Sequence, residues 1–191
     1  PPEISPVILP ACPEALQLLL VPGDAIEDSL QPALASADSV VIGPGLGRSD
    51  RLPDLLATVI RQARSLVIDA DALNEISRRP DRYWPLLQSR HAQTGLARPV
   101  LTPHPGEFRR LAPDLDVTDR LHAAAELAVR SGCVVILKGA ATVVAAPDGS
   151  CRINSTGQDG LARGGSGDVL AGLTGALMAQ GLSPLQAACA G

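Results

Sequence analysis

Four short runs recur along the chain, Ser39–Ile42, Ser65–Ile68, Arg98–Thr102 and Cys133–Leu137. Their centres are apolar and mostly β-branched without polar alternation, the pattern of strands buried on both faces. Each empties into a glycine-, proline- or acid-bearing turn and is followed by a segment of helical periodicity. Strands alternating with helices predict an α/β fold with a mainly parallel sheet. Right-handed crossovers then bring every turn that follows a strand to one edge, the edge where open sheets bind ligands. Gly47, Asp69, His104 and Lys138 are expected there together.

The connecting segments refine this picture. Leu30–Ala37 reads as a short helix, and Asp50 as the cap of a second over Leu52–Arg64. After the second strand Asp71 is the expected N-cap. Asp69, at the strand's end, either orders a loop or holds a metal-bound water, with the loop reading favoured. Arg78–Gln93 reads as a polar surface excursion, although it carries Tyr83 and Trp84. Asp116–Arg130 is an amphipathic helix with Leu121, Ala124, Ala125 and Ala128 inward. Thr142–Ala146, the turn Pro147-Asp148-Gly149 and Cys151–Asn154 form a hairpin added to the sheet. Glu14–Val21 fits a helix or a strand, and Leu182–Gly191 opens a last helix.

The richest stretch is Ala162 to Gly172, ARGGSGDVLAG. Small residues let its backbone turn tightly and approach a ligand closely. Val169, Leu170, Leu173, Ala176 and Leu177 behind it share one helical face, and Gly181 marks the stop. A flexible turn feeding a helix start offers free N–H groups and the positive dipole end, which suits an anion. Asp168 stands in that first turn as a carboxylate base. An acid there is also favourable through the dipole alone, so spacing leaves both readings open. No Gly-Lys-Ser/Thr sequence makes this a Walker A loop.

Composition excludes several classes. A net charge of −4 and only three aromatic residues, Tyr83, Trp84 and Phe108, argue against nucleic-acid binding. No apolar run is long enough to span a bilayer and no signal peptide opens the sequence. Cys12, Cys133, Cys151 and Cys189 lack metal-site spacing; Cys133 and Cys189 lie in apolar surroundings and read as packing residues of a reduced, cytoplasmic protein. Fifteen arginines stand against a single lysine, Lys138, a compact charge suited to phosphate. His104 is held between two prolines at a strand end, whereas His91 and His122 read as solvated.

The motifs GPGLG (Gly43 to Gly47), DADALN (Asp69 to Asn74), TPHPGE (Thr102 to Glu107), KGAAT (Lys138 to Thr142) and GGSGDVLAG (Gly164 to Gly172) together resemble the ADP/ATP-dependent NAD(P)H-hydrate dehydratases of the ribokinase-like superfamily. The resemblance implies one ribokinase-like domain over residues 1–191. It also implies a fragment, lacking the N-terminal strand and helix and the C-terminal end. By the same resemblance the activity is dehydration of the 6S hydrate of NADH or NADPH, with ADP or ATP as co-substrate and Mg²⁺ as cofactor. Asp168 would be the base and contact the hydrate, with Gly47 and His104 also binding it. Lys138, Gly139, Ala140, Ala141, Thr142, Gly165, Ser166 and Gly167 would hold the nucleotide. No residue is assigned as a metal ligand. A homo-oligomer is expected, with no nucleic-acid or membrane partner. Ala141 stands where the family has Gly, and Gln158 and Leu161 replace its Asn and Met. The alternatives are a thiazole- or pyrimidine-type alcohol kinase of the same superfamily and a non-catalytic nucleotide-binding module.

Overall fold

A computed structural model describes residue 10, residues 12–16, 18, 20, 25–156 and 163–191. Much of the proline-rich start, part of Glu14–Val21, and Gln158 and Leu161 lie outside the described residues. Six strands form one sheet in sequence order: β1 (Val40–Ile42), β2 (Leu66–Ile68), β3 (Val100–Leu101), β4 (Val134–Leu137), β5 (Val143–Ala145) and β6 (Cys151–Ile153). β1 to β4 run parallel, with Val41 opposite Val67 and Leu101 opposite Val135. β5 and β6 are antiparallel, the expected hairpin, with Ile136 opposite Val144.

Helices cover both faces because side chains alternate across each strand. Leu66, Ile68, Val135 and Leu137 face one layer, and Val67, Val134, Ile136 and Val144 the other. The first layer holds α1 (Ile26–Ser36), α2 (Leu52–Gln62), α3 (Ala70–Arg78), α4 (Pro80–Ser89), α5 (Pro105–Leu111) and α6 (Arg120–Ser131). The second holds α7 (Ser166–Ala179) and α8 (Pro184–Ala190). α8 begins with a capping box in which Ser183 and Gln186 satisfy each other's amides.

Several local expectations are corrected. Arg51, not Asp50, occupies the cap position of α2. Arg78–Gln93 is no surface excursion: it folds as α4 and a 3₁₀ turn, with Tyr83 and Leu87 buried. Arg90, also buried, explains the misreading. Its guanidinium donates to the carbonyls of Ile60 and Ala63, to that of Arg64 at 3.2 Å and, through Nε, to that of Ala97 at 3.0 Å. A charged residue thus serves as an internal plug for carbonyls in the last turn of α2, just past its end and before β3. In α6 the buried set is Ala123, Ala124, Leu127, Ala128 and Ser131, while Leu121 points outward. In α7 the sheet takes the small face, Ala171, Thr174, Gly175 and Met178. A Cβ on Gly175 would lie 2.6 Å from Val41, so α7 rides too close to β1 for larger residues. Val169 and Leu173 consequently face outward, 69% and 44% exposed. Cys133 is buried and its thiol is pushed up to about 12, whereas Cys189 is exposed and not a packing residue.

Candidate active site

The site is built at the C-terminal ends of β2, β3 and β4. Asp69 follows β2 and is 1% exposed. It occupies the N-cap position of α3 but makes no cap bond; its Oδ1 accepts from Lys138 Nζ at 2.7 Å. Lys138 follows β4, and its backbone N–H donates to Pro103 at 2.9 Å, which ties the β3 and β4 exits together. The buried Glu107 of α5 places Oε2 3.9 Å from the same ammonium. A buried carboxylate is tolerable only when paired, and one ammonium here meets two. Asp71, the expected cap, instead sits in the first turn of α3, where its Oδ2 accepts the Gly47 N–H at 2.8 Å. The acid before it already holds the cap position.

His104 is the N-cap of α5. Its Nδ1 accepts from the amides of Gly106, at 2.9 Å, and Glu107, at 3.4 Å, while Glu107 Oε2 accepts from the His104 amide at 2.8 Å. This reciprocal capping box commits Nδ1 as an acceptor, so the neutral ring carries its proton on Nε2. Nε2 lies 3.5 Å from Glu107 Oε1 and the ring is half exposed. The half-exposed imidazole therefore keeps Nε2 as its donor nitrogen. His91 and His122 are exposed, as expected.

The glycine-rich stretch closes over this cluster. Gly165, at φ +88°, turns the chain into α7, and Ser166 Oγ donates to the Arg163 carbonyl at 2.8 Å. A Cβ on Gly167 would stand 3.2 Å from Lys138 Nζ and 3.8 Å from Asp69 Oδ2. The head of α7 thus rests directly over the ammonium, and its N-cap makes no side-chain hydrogen bond. Asp168 is the next residue and is exposed.

Lys138 opens the loop Gly139–Thr142. Arg120, which sequence reasoning missed, pins it: Nη2 donates to Leu137 at 2.7 Å and Lys138 at 3.2 Å, and Nε to Ala141 at 3.4 Å. Desolvation holds the Arg120 pKa below its ordinary value. Thr142 Oγ1 donates to the Gly139 carbonyl at 2.9 Å. Ala141 is left-handed at φ +52°, so the methyl at this position strains the backbone, at about 1–2 kcal/mol. The structure thus brings Lys138, Gly167 and, through Glu107, His104 into one cluster. Asp69, expected at this edge, joins them through Lys138, and the structure adds Glu107 and Arg120, of which only Glu107 had a signal, its place in TPHPGE.

This arrangement can be compared with known proteins. The family model for NAD(P)H-hydrate dehydratase matches residues 7–191. The chain belongs to that family. The bifunctional NAD(P)H-hydrate repair enzyme Nnr of Gloeobacter violaceus is 46% identical over 181 residues, and that of Escherichia coli 45% identical over 168. These alignments take in 93% and 86% of the chain but only 32% and 30% of the relatives, so the chain spans about a third of their length. The ADP/ATP-dependent NAD(P)H-hydrate dehydratase of Bacillus subtilis, crystallised with ATP/Mg²⁺ and soaked with CoA, superposes with a TM-score of 0.72 at 30% identity. That match covers 97% of this chain and 64% of the crystallised one. The fold is the ribokinase-like one that the motifs imply. Among the described residues no helix of this family member is long and apolar enough to cross a membrane.

Proposed function

We propose that the chain, as one domain, carries the ADP- or ATP-dependent dehydration of the 6S hydrates of NADH and NADPH. The observation that supports this most is the single ammonium of the chain, held 2.7 Å from Asp69 and directly under Gly167. A fixed cation beneath a helix head is a seat for a phosphoryl group.

Hydroxide leaves a carbon poorly. If the hydroxyl of the hydrated ring takes a phosphoryl group from ADP or ATP, leaving AMP or ADP, phosphate departs instead, expelled by the ring nitrogen's lone pair, and loss of a proton from the adjacent ring carbon to solvent restores the double bond. In this reading Asp168 removes the hydroxyl proton, a role worth roughly 10²–10⁴-fold. Gly165 and Gly167 would present main-chain amides to the transferring group, Ser166, whose amide donates to the Arg163 carbonyl at 3.3 Å, would hold the turn, and Lys138 would balance the charge. Gly139, Ala140, Ala141 and Thr142 would line the nucleotide, held open by Arg120. His104 would donate Nε2–H to the hydrate and Gly47 would line the same pocket.

The donor set fits Mg²⁺, which takes one or two carboxylates and completes its shell with phosphates and water. Asp69 and Glu107 are the two that face Lys138 and would hold the ion. When bound, it would supply charge neutralisation at the phosphates. A reducing cytoplasmic setting agrees with four free cysteines. Self-association would cover the outward Val169 and Leu173.

The test follows NADH absorbance recovered from its hydrate in the presence of ADP or ATP. Recovery is expected with the unaltered protein. Asp168→Asn should lower the rate at least about 10²-fold while ADP affinity stays within twofold, since the anion seat is main chain and lysine. Turnover of a vitamin-precursor alcohol instead, or near-normal rates for the variant, would refute the proposal.

A further inference from the structure

A second charged cleft lies beside the site, along the outer side of α3. It encloses about 580 Å³ and is lined by Arg48, Ser49, Asp50, Glu75, Arg78 and Arg79, together with Leu52. Three guanidiniums against two carboxylates leave it positive, on a chain whose net charge is −4. Its inner acid is nearly fully occupied. Glu75 is buried, takes Nη1 of Arg78 at 3.5 Å and Nη1 of Arg79, and accepts from Tyr83 Oη at 3.3 Å. It anchors both arginines from below by one nitrogen each. Each guanidinium has five N–H donors, and the two side chains remain 42% and 50% exposed. Both residues line the cleft, which leaves their other donors for a ligand there, and a guanidinium fork takes a phosphate bidentately.

Position says which phosphate. Arg48 follows Gly47 directly, and the Gly47 amide is fixed to Asp71 in the first turn of α3. Arg78 and Arg79 end the same helix, about 11–12 Å further along at 1.5 Å per residue. The cleft therefore starts at the loop expected to touch the hydrated dinucleotide and runs away from the sheet edge where the chemistry is placed. An extended dinucleotide entering by its nicotinamide end would leave its other end here.

We propose that Arg48, Arg78 and Arg79 form a phosphomonoester subsite that receives the ribose 2′-phosphate of the NADPH hydrate and so sets a preference for it over the NADH hydrate. This rests on the dehydratase reading above. A 2′-phosphate carries close to two negative charges and is the only group by which the two substrates differ. Arginine suits that discrimination better than lysine because its fork reads the flat face of three phosphate oxygens.

Arg48→Ala and Arg78→Ala separate the possibilities in steady-state assays with each hydrate. The KM for the NADPH hydrate should rise about tenfold, the loss of a charge-assisted pair worth near 1.4 kcal/mol. The KM for the NADH hydrate should stay within twofold and kcat should not change. An equal rise for both substrates would place the shared pyrophosphate in the cleft and overturn the proposal, as would no change for either. Binding gives a second readout, through fluorescence of the reduced nicotinamide. Unaltered protein should bind NADPH more tightly than NADH, and the variants should lose that difference. Equal affinity in unaltered protein overturns the subsite. Turnover of neither hydrate, with the NADPH preference in binding retained, would instead refute the dehydratase reading alone.

Discussion

His104 caps α5 with one ring nitrogen and, in the proposed reading, would bind the hydrate with the other. Nδ1 closes the capping box of α5, and Nε2 lies 3.5 Å from Glu107 Oε1 on a half-exposed ring. The two roles separate by substitution, because asparagine caps a helix well and alanine does not. His104→Ala should cost about 1 kcal/mol of stability, a fall of roughly 2–4 °C in Tm for a chain of this size, and should also weaken hydrate binding. His104→Asn should keep the melting temperature within a degree while the KM for the hydrate still rises. Calorimetry and kinetics on the pair decide it; an asparagine variant with unchanged KM would reduce His104 to a cap. At this scale the sequence was only partly legible. Two prolines around a histidine announced a fixed imidazole, but not which nitrogen was engaged. Asp71 and Asp69 were exchanged in role, since either carboxylate could cap α3 and only the position of Lys138, 69 residues away in sequence, decides between them.

Elements were legible where periodicity and packing agree. The four parallel strands and the hairpin fall within a residue or two of expectation; β2 to β5 are apolar and buried throughout, whereas β1 leaves Val41 38% exposed and β6 lies largely exposed. Amphipathic logic failed on α6 and α7 for a shared reason: the sheet-facing stripe is made of small residues. Ala123, Ala124 and Ala128 lie inward in α6, and Ala171 and Gly175 in α7, so the larger Leu121, Val169 and Leu173 are displaced outward. Close approach explains the choice. It brings the head of α7 down onto Lys138, where a Cβ at Gly167 would crowd Nζ at 3.2 Å. Gly167→Ala should therefore push the ammonium aside, weakening ADP binding about tenfold while leaving the fold intact, because alanine is the better helix former. Isothermal titration with ADP and a parallel thermal melt test this; unchanged affinity would remove Lys138 from the phosphate seat.

Across the whole molecule, Arg90 is the tie least visible in sequence. It joins the carbonyls of Ile60, Ala63, Arg64 and Ala97, and so locks the end of α2 to the segments entering β2 and β3. Burial pulls its pKa down to about 10, which still leaves it charged at neutral pH. Arg90→Met would fill similar space but strand those carbonyls, each costing about 1–3 kcal/mol when buried without a partner. A loss of about 3–5 kcal/mol is expected by urea denaturation, with Arg90→Lys failing to rescue because one ammonium cannot serve four divergent acceptors. A loss under 1 kcal/mol would show that water replaces the guanidinium. Nothing in a run of polar residues signals such a plug, since the acceptors come from two separate stretches of chain, Ile60–Arg64 and Ala97.

The hairpin carries a practical consequence. β5 descends from the Lys138 loop and β6 climbs back, so Pro147-Asp148-Gly149 bends at the foot of the sheet, a full strand length from every group discussed as chemical. Peptide grafted into that bend, whether an affinity handle or a fluorophore, hangs beneath the molecule and leaves the working rim open to its ligands.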